Sequence, residues 1–115
     1  MVAGNEKRVE EYEASVKAID ESWKNLGLAN SYFKMDRYDE AIEAYKKAYQ
    51  LGKGNESFFG MELLKAYEKL QRYDEALDLL AEIETKYYKG EYGIKKAQEI
   101  RSRLLSEKNS VAQGK

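Results

Sequence analysis

The chain has 115 residues, with 20 Lys and Arg against 21 Asp and Glu, and contains neither Cys nor His. A domain-sized chain with those omissions has no disulfide framework, no side-chain N or S ligand for zinc or haem, no thiolate nucleophile and no imidazole base. A net charge of −1 with a pI near 5.7 lacks the basic surplus that phosphate binding needs.

No window approaches the ~18 apolar residues of a membrane span, and Glu6, Glu10, Glu11 and Glu13 stand where a signal peptide would be apolar. The expectation is a soluble, cytoplasmic chain with no nucleic-acid or membrane partner, no cofactor, no metal and no small-molecule substrate.

Apolar residues recurring every third or fourth position, in a vocabulary of Ala, Leu, Glu, Lys, Gln and Arg, predict helices and no sheet. In chain order they cover residues 5–20, 21–35, 38–51, 56–70, 73–88 and 91–107, with 108–115 a frayed tail. Gly52 with Gly54 and Gly90 with Gly93 mark two of the breaks. Asn5 and Asn55 read as N-caps, and Asp39, Glu40, Asp74 and Glu75 place acid in first turns, where exposed N–H groups favour it. Val9, Tyr12, Val16, Ile19, Trp23 and Leu26 run at 3-4-3-4-3 spacing across the first junction, so one long helix over 5–35 is the alternative there. Acid-first pairs four apart, Glu13/Lys17, Glu43/Lys47, Glu82/Lys86 and Glu91/Lys95, mark outer faces.

Internal repetition organises the whole. A shift of 35 residues lays Ser22, Leu28, Tyr32, Lys34 and Arg37 to Ala41 onto Ser57, Leu63, Tyr67, Lys69 and Arg72 to Ala76, so that Arg-Tyr-Asp-Glu-Ala occurs whole twice. A period near 34 residues holding two amphipathic helices is that of a helix-turn-helix array. On these residues the sequence resembles the tetratricopeptide repeat family. Leu28, Ala29 and Tyr32 match its first-helix positions, and Tyr38, Ala41, Tyr45 and Ala48 its second-helix positions; Leu63, Leu64, Tyr67, Tyr73, Ala76, Leu80 and Ile83 follow in the second copy. The family's closing proline is missing, with Lys53 near its place, and Leu64 and Ile83 stand where a small residue is usual.

The resemblance implies an all-α, right-handed solenoid: a capping helix at 1–21, repeats at 22–55 and 56–90, and a second capping helix at 91–107. Arrays of this kind line a concave groove with their first helices, and a peptide or partner helix lies there. With Leu28, Ala29 and Tyr32 assigned to the core, the groove stripe holds Trp23, Leu26, Asn30, Phe33 and Lys34, then Phe58, Met61, Lys65, Glu68 and Lys69. The apolar members would anchor a protein partner, unless the first helix folds over Trp23 and Leu26 and makes them core. Phe59 is assigned to the core. Asn30, Lys34, Lys65 and Lys69, extended by Arg101, form a polar row suited to a carboxylate, diluted by Glu62 and Glu68. Some family members clamp a C-terminal carboxylate with Lys and Asn at these places; here Asn30 matches, but Leu26 replaces a lysine.

Catalysis has little support. Neighbouring carboxylates such as Glu10/Glu11 point about 100° apart on a helix and share no proton, and Gly-Lys-Gly-Asn at 52–55 lacks phosphate-loop spacing. The expected function is a non-enzymatic adaptor binding a peptide or helix, the alternative a self-assembling unit that forms homo-oligomers, a homodimer among them, through the same stripe.

Overall fold

The computed structural model describes the backbone of residues 2–114 and the side chains of residues 6–114. Five helices follow in order: α1 Val2–Lys34, α2 Tyr38–Leu51, α3 Glu56–Lys69, α4 Tyr73–Lys86 and α5 Gly90–Ala112. There is no strand among the described residues.

Where six helices were expected, the first two are one helix of 33 residues. The polar side chains at the expected junction turn back onto their own helix instead of capping a new one. The Ser22 hydroxyl donates to the Ile19 carbonyl at 2.7 Å, and the Asn25 amide to the Glu21 carbonyl at 2.8 Å. The cap assigned to Asn5 lies outside the side chains described. Asn55 stands directly before α3 as expected, its carbonyl accepting the Phe59 N–H at 3.0 Å. The frayed tail is also corrected, because α5 continues to Ala112, tied down where Lys108 reaches Asp74 at 2.6 Å.

The chain forms two compact units, Met1–Phe59 and Gly60–Lys115. In the first, α1 and α2 fold back on each other, and Ala29, Ala41 and Ala48 are essentially inaccessible. Small residues at those points let the two backbones approach while Ile42 and Tyr45 fill the space beside them. Gly52 has a related role: a Cβ there would lie 2.2 Å from the ring of Phe59, which is fully buried as expected.

In the second unit the core is Leu63, Leu64, Tyr67, Ala76, Leu80, Ile83, Ala97, Ile100 and Leu104. Leu64 and Ile83 are fully buried. On α5 the buried line is Gly93, Ala97, Ile100 and Leu104; Ile94 faces solvent. Gly93 is the inward residue because Tyr88 leaves no room, a Cβ at 93 lying 2.9 Å from the Tyr88 carbonyl carbon.

The two Arg-Tyr-Asp-Glu-Ala segments open α2 and α4 with one geometry. The residue before each, Asp36 or Gln71, adopts the left-handed conformation at φ 60°. The Arg N–H then bonds the carbonyl of Tyr32 (2.9 Å) or Tyr67 (2.8 Å). Its guanidinium forks onto Glu40 or Glu75 three residues on and lies over the same tyrosine's ring, 4.8 Å from the centroid of Tyr32 and 5.3 Å from that of Tyr67. A paired, ring-stacked guanidinium fixes the entry angle of each second helix.

Candidate partner-binding site

A helix advances about 100° per residue, so α1 presents three lines past Asp20. Ser22, Leu26, Ala29 and Phe33 form the inward line, with the first three buried and Phe33 half-buried. Asn25, Leu28 and Tyr32 lie to one side, and Trp23, Gly27, Asn30 and Lys34 to the other.

The Trp23 line carries the exposed aromatic surface. Trp23 is 47% exposed, and its ring meets Phe58 at 5.6 Å, tilted by 38°, and Phe59 edge-on at 4.9 Å. Phe59 is sealed beneath while Phe58 is exposed beside Trp23, a pair held in place from below and open above. Along the same line Gly27 has open space where a side chain would stand, so an incoming chain can reach the helix backbone closely. Asn30 follows, exposed, its carboxamide oxygen accepting the Tyr45 hydroxyl at 2.6 Å. With that oxygen engaged, what the side chain can still offer is its amide N–H groups, donors that suit a carboxylate or a carbonyl. Lys34, exposed in the last turn, ends the line.

Two assignments within the first unit are corrected. Leu26 is buried, taking the core alternative, whereas Leu28, assigned to the core, is 50% exposed. Leu28 opens with Asn25 and Tyr32 into a cleft of about 320 Å³ whose far wall is Glu40, Glu43, Ala44 and Lys47 of α2. Spacing alone could not separate Leu26 from Leu28, since either completes a three-four pattern with its neighbours. Phe33 is half-buried, edge-on to Tyr38 at 5.1 Å, so it braces the turn into α2.

The remaining predicted residues belong to the second unit. Met61 is half-buried; Lys65 and Lys69 are exposed on α3, Lys65 pairing with Glu62 at 3.2 Å. Arg101 does not extend a free polar row, because it pairs with Glu84 on α4. Arg103, which sequence reading passed over, grips Glu68 through two hydrogen bonds of 3.0 Å. Burial works against ionising Glu68, but hydrogen bonds from Glu107 and Arg103 outweigh it and hold its pKa below the usual carboxylate range. Glu107, sharing that hydrogen bond with Glu68, is pushed the other way. No spacing rule within one helix points to the Arg103–Glu68 contact, since the two are 35 residues apart in sequence.

Residues 21–55 match the sequence model of the tetratricopeptide repeat. Over that stretch, less than a third of its length, the chain is similar to a tetratricopeptide repeat. The match begins inside α1, so in this protein the repeat's first helix is the second half of a longer one. Tetratricopeptide repeats are in general protein–protein interaction modules and non-enzymatic. The chain matches no curated protein and no solved structure closely enough to be called similar. Among the described residues no helix is long and apolar enough to cross a membrane.

Proposed function

We propose that the chain is an adaptor module that takes a peptide or helical segment along the Trp23, Gly27, Asn30 and Lys34 line of α1. The observation that carries the reading is the open aromatic pair: Trp23 and Phe58 keep nearly half their surfaces in water although Phe59 fixes both rings from beneath. Rigid, half-exposed aromatic rings lose little conformational entropy on binding and make effective anchors. Asn30 and Lys34 stand about 10 and 16 Å further along the axis, so the occupant combines an apolar side chain at one end with a carboxylate at the other.

Trp23 is the only tryptophan in the chain, and its emission reports directly on the site. Partners recovered by affinity capture and mass spectrometry are titrated against the full chain while that emission is followed. Phe58→Ala is expected to weaken binding by about tenfold or more with helix content retained, and Lys34→Glu to weaken acidic segments selectively. Binding untouched by Phe58→Ala would remove the aromatic pair from the function.

A further inference from the structure

Every side chain from residue 6 to residue 17 of α1 is exposed, including Val9, Tyr12 and Val16, with Tyr12 at 70%. Ile19, one step further along the same spacing, is half-buried. Placed in a seven-residue frame, Val9 and Val16 take the a positions and Tyr12 and Ile19 the d positions, so the four form a continuous apolar seam on one side of the helix. The seam ends at Trp23, whose ring is engaged by Phe58 and Phe59. An apolar line of this length on a bare helix favours a partner helix over water.

We propose that the occupant is the same helix of a second copy, parallel and in register, so that the protein dimerises through a short coiled coil at residues 8–20. Two features select that occupant and orientation. Branched Val at both a positions is the side-chain shape that the a sites of a parallel two-stranded packing take, while the d residues, Tyr12 and Ile19, carry no such preference. The flanking charges agree: Arg8 at g faces Glu13 at e of the second copy, and symmetry makes the pair twice. An antiparallel arrangement would set e against e, with Glu13 facing Asp20 of the second copy as like charges. Among the described residues neither Arg8 nor Glu13 is held in an ion pair within the chain, the expected Glu13/Lys17 pair included. The inference does not depend on the peptide reading, since it uses the first half of α1 and that reading uses the second.

Sedimentation equilibrium of the full chain from about 1 μM to about 1 mM is expected to show a monomer–dimer equilibrium, lost in Tyr12→Glu. Arg8→Glu or Glu13→Arg alone should raise the dimer dissociation constant by about tenfold, while mixing the two variants should restore association, because every flanking pair then has opposite signs. Circular dichroism verifies that each variant keeps its helices. Since the chain has no Cys, Val16→Cys places a single thiol on the seam, and a parallel dimer cross-links through it on oxidation. The proposal is overturned by a monomer at all concentrations, which would leave the seam to a different partner. It is equally overturned by a dimer indifferent to Tyr12→Glu or to the charge changes, or by a Val16→Cys chain that does not cross-link.

Discussion

Tyr38 and Tyr73 stand second in the same five-residue segment of the two copies, yet one is exposed and the other is buried. The Tyr38 hydroxyl donates to the Asp36 carboxylate at 2.8 Å, and that bond raises its pKa. Tyr73 is raised by burial first, then by the negative charges of Glu107 and Glu68. Leu28 and Leu63 repeat the contrast at 50% and 3% exposed, and Tyr32 is half-buried where Tyr67 is fully so. The repeated motif therefore determines its own turn but not its surroundings. In the second unit α5 runs beside α3 and α4, joined through Arg103 to Glu68 and Lys108 to Asp74. In the first, the side of α1 bearing Leu28 opens into a cleft.

The largest test of that contrast is truncation of the paired tyrosines. Tyr67→Ala is expected to cost about 3 kcal/mol or more, and Tyr32→Ala about half as much, read by urea unfolding. Equal losses would mean that burial differs less between the copies than exposure suggests. Next comes the position after each second helix, where Gly52 in the first copy aligns with Tyr87 in the second. Gly52→Ala should destabilise by about 2 kcal/mol, because the Phe59 ring and the Ala48 carbonyl both occupy the space a methyl needs. An unchanged unfolding midpoint would show that the ring can swing aside.

The left-handed turn residues give a smaller effect of the opposite sign. Gln71→Gly should stabilise by about 1 kcal/mol, since glutamine pays a steric cost at positive φ that glycine does not. Asp36→Gly should gain less, because aspartate tolerates that conformation better and its bond to Tyr38 is lost.

The smallest effect concerns Glu107, which has no counterpart in the first unit. Its folded pKa is raised, so its contribution is complete at low pH and fades as pH climbs through that raised value. Glu68, depressed, works in the opposite sense and loses its contribution as pH falls. Glu107→Gln removes the first of these, so relative to the unsubstituted chain it should gain roughly 0.3 kcal/mol as pH rises past the carboxylate range. Thermal melts across pH measure this, and a difference that shrinks with rising pH would contradict the sign.

Much of the molecule was legible in its residues. The repeat period, the starts of α2, α3 and α4, and the small residues Ala29, Ala41 and Ala48 follow from spacing, because helical periodicity and turn preferences act over a dozen residues or fewer. The continuity of α1, the exchange of Leu26 for Leu28 in the core, the inward turn of Gly93 and the engagement of Arg101 and Arg103 were settled by packing. Each depends on which face of a helix another element covers, and such contacts join residues tens of positions apart. Local pattern therefore specifies the helices, while neighbours brought close by folding decide which of two equally spaced side chains is inside.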